Sequence, residues 1–212
     1  SRGNAELGLG YKGWRYSSAG MTAVWATANT RGALFDAMQR REAYATTGPR
    51  MRVRFFGGWD YEQDDLLQRD LARVGYGKGV PMGADLKAAA AGAQAPRFLV
   101  YAQRDPMGAN LDRVQVIKGW LDGSGKPREK VYDVAWSGER KPGANGKLPP
   151  VGDTVDLAIP SWTNTIGAAE LGAVWTDPDF EPKLRAFYYA RVIEIPTPRW
   201  TAYDRVKFKL DL

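Results

Sequence analysis

One change of period constrains the fold more than any other feature of this chain. In the stretch REAYATTGPRMRVRFF, Arg41 to Phe56, the residues before Thr46 belong to a helical pattern and those after Pro49 alternate two by two. Asn29 or Thr30 supplies a cap, and Leu34, Ala37, Met38 and Arg41 follow at helical spacing, which predicts a helix from about Arg31 to Tyr44. Gly48 and Pro49 are the expected stop, because Gly past a helix end followed by Pro cannot continue the ladder. From Arg50 onward the strand candidates are RMRVRFFGGW, RFLVYAQR, LDRVQVIKGWLD, EKVYDVAWSG, TVDLAI, AELGAVWTD, FYYARVIEI and TAYDRVKFKL. Turn chemistry separates them, as in Asp122-Gly123-Ser124-Gly125 and Gly143-Ala144-Asn145-Gly146. Seven or eight short strands with polar connections predict a mainly β chain, an immunoglobulin-like β-sandwich with an N-terminal helical segment and a helical insertion. The insertion falls at about 60–76, where acids open DYEQDDLLQRDLARVGYGKG, Leu66, Leu67, Leu71 and Val74 lie near one face, and Gly ends it. LKAAAAGAQAP fits a helical extension and a loop equally, and the first 20 residues read as an irregular lead-in.

The absence of two residue types does most to exclude function classes. With no histidine and no cysteine in 212 residues, this chain cannot by itself complete a serine-histidine or cysteine-histidine hydrolase, a His-ligated metal site or a disulfide framework. Activity within it would rest on carboxylates, Lys, Tyr, Ser or Thr. Apolar residues make up 44% of the chain and aromatic ones 12%, enough for a real core. No apolar run reaches the roughly 18 residues that span a bilayer, so a soluble chain without a membrane span is expected. Cytosol, periplasm and export all stay open. Thirty basic residues against 24 acidic ones leave +6, but the charges are interspersed and no Lys/Arg run marks a nucleic-acid footprint, so no nucleic-acid partner is expected.

Four constellations invite a functional reading, and each has a plainer one. Arg50, Arg52 and Arg54 fall on one face of a strand with Met51, Val53 and Phe55 on the other. They fit an anion site assisted by Thr46, Thr47 and the Gly48 amide, or simply a half-buried strand with a basic outer face. Asp105, Asn110 and Asp112 are oxygen ligands of the kind calcium accepts, yet Asp-Pro-x-Gly is ordinary turn chemistry. Asp177, Asp179 and Glu181 gather between prolines, where a loop is the simpler account than an acid-base pair. Eight tryptophans on a β-rich chain raise a carbohydrate-binding alternative, although packing is the commoner fate of indoles.

The long segments GMTAVWATANTRGALFDAMQRREAYATTGPRMRVRFFGGWD, DPMGANLDRVQVIKGW, KPGANGKLPPVGDTVD, GAAELGAVWTDPDF and FYYARVIEIPTPRWTAYD, in this order, closely resemble the C-terminal part of the DUF3604 family. These bacterial proteins of uncharacterised function are related to the polymerase-and-histidinol-phosphatase metallohydrolases. The resemblance implies that the family's histidine-rich metal motifs lie upstream, in a barrel-like catalytic domain absent from this sequence. It implies a fragment that begins after the last of those motifs and stops before the family's usual end. On this reading residues 1–48 are a helical remnant of the barrel and residues 49–212 a β-sandwich accessory domain. The expected chemistry of the intact protein is metal-dependent hydrolysis, of a phosphoester for example, by metal-activated water. A divalent metal is expected in the upstream domain and no cofactor, metal ligand or catalytic residue in this chain, which should be inactive alone. The expected partners are that missing domain and, compatibly, further copies of the chain. The Thr-Thr-Gly-Pro turn becomes the seam at the barrel exit, which makes Thr46, Thr47 and Arg50 the candidate substrate contacts of the full protein. The alternative is a stand-alone sandwich that binds a glycan or an anion.

Overall fold

The computed structural model describes residues 20–88 and 95–210. Along the chain run β1 (Met21–Val24), α1 (Arg31–Gln39), β2 (Ala43–Thr46), β3 (Arg52–Gly58), a 3-10 turn (Gln63–Leu67), α2 (Leu71–Lys78) and β4 (Gly79–Pro81). They are followed by β5 (Arg97–Gln103), β6 (Leu111–Leu121), β7 (Pro127–Trp136), β8 (Glu170–Thr176), β9 (Ala186–Glu194) and α3 (Trp200–Phe208). The fold is mainly β, as the period-two segments require. β1 and β2 form a two-stranded ribbon, β4-β3-β5-β8 a four-stranded sheet and β7-β6-β9 a three-stranded sheet, with every pairing antiparallel.

The two larger sheets pack face to face. Phe55, Phe98, Val100 and Ala102 from β3 and β5 meet Leu111, Val114 and Val116 of β6, with Trp175, Tyr188, Ala190 and Val192 filling around them. Leu111 and Val114 both reach this core although an odd spacing should put them on opposite faces. A register shift against β9, with Asp112 the extra residue of β6, flips the pleat between them. This two-layer packing is compatible with the immunoglobulin-like expectation.

The four-stranded sheet is buried on its other face as well, which is why RFLVYAQ reads as a nearly continuous apolar run rather than an alternation. Phe56, Leu99 and Val174 point there and are roofed by Tyr61, Leu66, Leu71 and Val74 from the insertion. Gly75 makes the roof fit, because a Cβ at that position would stand about 2.5 Å from the Phe56 ring.

Several expectations need correction. The predicted helix Arg31–Tyr44 ends at Gln39, and Ala43–Thr46 instead pairs with Met21–Val24. The insertion is not one helix: Asp70 caps α2 through the Arg73 amide and breaks it from the 3-10 turn, leaving Leu67 81% exposed rather than on the buried face. TVDLAI is not a strand. Asp153 and Asp156 capture the amides of Val155, Ala158 and Ile159 and fold it into turns, with one bridge from Asp156 to Ser161. TAYDRVKFKL lies in α3, whose last turn carries Arg205 and Lys207 and whose end is closed by Lys209 in the left-handed region. The lead-in through residue 19, with Trp14, and residues 89–94 of the alanine-rich segment lie outside the described residues.

Candidate functional site

The seam between the β1–α1–β2 unit and the sandwich gathers several buried and paired polar groups. Arg54 on β3 turns toward that unit: its guanidinium lies 3.3 Å from the ring centroid of Trp25, and Nη1 stands 3.9 Å from Glu42. Glu42, with a 4% exposed side chain, also pairs with Arg40 at 3.5 Å and accepts a hydrogen bond from the Tyr76 hydroxyl of α2. The Trp25 indole N–H donates to the Val53 carbonyl at 2.9 Å, and the Tyr44 hydroxyl to that of Met51 at 3.0 Å. Burial, then the Glu42 carboxylate, pushes the Tyr76 hydroxyl above its ordinary range. The arginine face of β3 is therefore committed in part to a structural clamp, with Arg54 between an indole and a buried acid.

The sequence-predicted contacts lie just beyond this clamp. Thr46 ends β2 and its hydroxyl accepts the Gly48 amide at 3.2 Å, while Thr47 and Arg50 are exposed. The main-chain N–H of Arg50 donates to Asp105 Oδ2 at 2.7 Å, and that of Met107 to Oδ1 at 2.9 Å. Those amides, with the nearby Arg50 and Arg104 cations, hold the Asp105 carboxyl below its usual range. Glu194, at the end of β9, behaves in the opposite sense. Its Oε1 is closed off from solvent and accepts no hydrogen bond from the described residues. Burial and then the Asp105 charge push its carboxyl up to about 7. The structure thus ties the Arg50 backbone to a carboxylate held ionised, with the raised Glu194 carboxyl close to that carboxylate, while the Thr46 hydroxyl is engaged by the Gly48 amide of its own turn.

The other constellations disperse. Asp105 and Asn110 do not form a cation cage with Asp112: Asn110 bonds Asn164 and Ile166, whereas Asp112 pairs with Arg140 at 2.6 Å and Arg113 at 3.2 Å. Among the described residues no three His, Cys, Asp or Glu side chains stand together as a metal site. Asp177 is buried and accepts from Lys118 Nζ at 2.6 Å and the Tyr188 hydroxyl at 2.7 Å. Asp179 accepts from Lys130 and Tyr132, each at 2.5 Å, and these bonds lower its carboxyl. Glu181 caps an exposed turn through Lys183. Burial and then Asp177 raise the Tyr188 hydroxyl, so this cluster is a closed ion-pair network at one end of the sandwich.

Sequence reasoning missed Glu42, Glu194 and Lys118. Two of them carry a readable signal. Glu194 shares parity with Tyr188, Ala190 and Val192, and Lys118 with Val114 and Val116, so both fall on core faces. Glu42 had none, since it follows a helix in a charged run.

Comparison with curated proteins and comparison with solved structures each returned no match. A family model described as a protein of unknown function, DUF3604, matches residues 2–212, and the chain belongs to that family.

Proposed function

We propose that this chain is the accessory portion of a metal-dependent hydrolase of the polymerase-and-histidinol-phosphatase kind, packing on an upstream catalytic domain and shaping one wall of its cleft. The observation that carries the reading is α1. Of that helix Ala37 is buried and Ala33 and Leu34 are half-buried, while Phe35 is 55% and Met38 53% exposed, so two of its large apolar side chains stand open. The Arg54–Trp25–Glu42 clamp ties the segments on either side of that helix to β3. Thr46, Thr47 and Arg50 emerge from the same seam and would face substrate in the full protein. With neither His nor Cys, this chain lacks the nitrogen and sulfur donors that the hydrolytic metal of the proposed upstream domain would take.

The test pairs metal analysis with turnover. After dialysis the purified 212-residue chain should retain no divalent metal and should leave p-nitrophenyl phosphate intact with added manganese. The full-length protein should hydrolyse it, and Arg50→Ala should lower kcat/KM about tenfold at unchanged Tm. One metal per chain in the short form, or turnover by it, defeats the proposal. So does an Arg50→Ala full-length protein with unchanged turnover.

A further inference from the structure

The three-stranded sheet has an outer face that nothing in the described chain covers. Strand parity fixes what stands on it: Phe187, Tyr189 and Arg191 along β9, with Glu129, Val131 and Asp133 along β7, and Arg185 lies just before β9. Phe187 is 63% exposed and Tyr189 44%. Their rings are within 12° of parallel with centroids 6.4 Å apart, close to the two-residue rise of a strand. A side chain on Gly119 would collide with the tip of the Phe187 ring, so that ring lies across β6 rather than standing off it. Tyr189, parallel to Phe187, lies opposite Ile117, which is 1% exposed beneath the strip. Two flat aromatic faces therefore lie side by side on the sheet.

Planar polar groups bracket the rings. At one end Arg185, Glu129, Leu121 and Phe187 line a cavity of about 520 Å³. At the other, Arg191 donates to Gln115 at 2.8 Å and Gln115 to Asp133 at 2.7 Å, a pre-ordered row of donors and acceptors.

We propose that this strip is a carbohydrate-binding site, in which successive pyranose rings stack on Phe187 and Tyr189 and hydroxyls meet the polar groups at either end. One face of a pyranose is a sheet of C–H groups with positive partial charge, which matches the negative face of an aromatic ring. Its hydroxyls need donors and acceptors, which Arg185 and Glu129 supply at one end and Arg191 at the other, where the buried Gln115 holds the guanidinium in place. The cavity has the size of a small-ligand site. A protein partner fits less well, since the strip offers a few apolar side chains between charges and a stable interface takes roughly 20–30 residues a side. The site is separate from the seam and does not depend on the accessory role.

The test is affinity electrophoresis of the 212-residue chain in gels containing laminarin, xylan or polygalacturonate. At least one polysaccharide should retard it, and Phe187→Ala and Tyr189→Ala should each weaken retardation at least tenfold, while Phe187→Trp preserves it. Circular dichroism and Tm of each variant establish folding, and if Phe187→Ala does not fold, Tyr189→Ala and Phe187→Trp decide. Retardation by polygalacturonate that Arg185→Ala abolishes identifies an acidic glycan, and retardation by laminarin or xylan a neutral one. Either supports the site. No retardation by any of the three, or retardation indifferent to both ring-to-Ala variants, overturns it. A dimer in sedimentation that Phe187→Arg dissociates overturns it too, because the face would then belong to a second copy.

Discussion

The two outer faces of the sandwich are built from the same kind of strand and have opposite fates. On the four-stranded sheet Phe56, Leu99 and Val174 are covered by the insertion, and Phe56 is 1% exposed. On the three-stranded sheet Phe187 and Tyr189 stay bare. Glycine serves both sides differently: Gly75 lets a roof come down onto Phe56, whereas Gly119 lets an aromatic ring lie flat in the open. An apolar sheet face therefore does not by itself say whether it is core. What decides is whether other segments cover it, and among the described residues the 3-10 turn and α2 cover one face and none covers the other.

Substitution on the two faces should separate them sharply. Phe56→Ala should cost about 3–5 kcal/mol, the loss expected when a fully buried phenyl leaves a cavity. Tyr189→Ala should cost about 1 kcal/mol or less, because the ring already meets water. Urea unfolding measures both. Comparable losses would mean that the bare face carries as much of the fold as the roofed one, and the contrast would collapse.

The end of the sandwich between the two faces supplies an intermediate case. Lys118 and Asp177 form an ion pair with side chains 5% and 0% exposed, fed by Tyr188 and the Asp179 amide. Removing one partner strands the other, so Asp177→Ala should lose about 3 kcal/mol. The double change Lys118→Met with Asp177→Asn keeps the acceptor for Tyr188 without the charge and should recover at least half of that. A double variant no more stable than Asp177→Ala would show that the charge itself is needed there.

How much of this was legible depends on whether the signal was local. Six of the eight predicted strands form, because alternation is a local property and their partners enforce it. The paired arginines of β3 were visible, but their use was not: Arg54 finds Trp25 and Glu42, remote neighbours chosen by how the ribbon docks. β1 and β2 are four residues each, too short for a period to declare itself, so Ala43–Thr46 passed for the end of a helix. TAYDRVKFKL alternates well enough for a strand, yet Tyr203 and Val206 also fit a helix, and no local rule chose between them. Thr46, Thr47 and Arg50 follow one another along the chain between the end of β2 and the start of β3, and the Arg50 amide is tied to Asp105. The acids near Arg50 come from far along the chain, Asp105 from the turn after β5 and Glu194 from the end of β9, and could be placed only by the fold.

The smallest expected effect lies at that seam, away from both faces, and depends on pH. The folded carboxyl of Glu194 titrates near 7 instead of its ordinary 4.5, because burial and the Asp105 charge disfavour its anion. The folded state therefore holds the proton that the unfolded chain releases first. Its contribution is fully present below about pH 4.5 and is lost as pH rises through 7. Asp105, lowered by its amides, runs the other way, but its window lies below 3.8 and does not overlap. Glu194→Gln keeps the shape of the protonated acid and should abolish the decline, gaining about 1 kcal/mol at pH 8 relative to the parent, with water at the partly open seam screening the remainder. Thermal unfolding at pH 5 and pH 8 reads the difference. If parent and variant keep the same gap in Tm at both values, Glu194 is not titrating in the folded protein. A gap that opens only at pH 8 would place a group that titrates near neutrality at the seam, next to Asp105 and the Arg50 backbone.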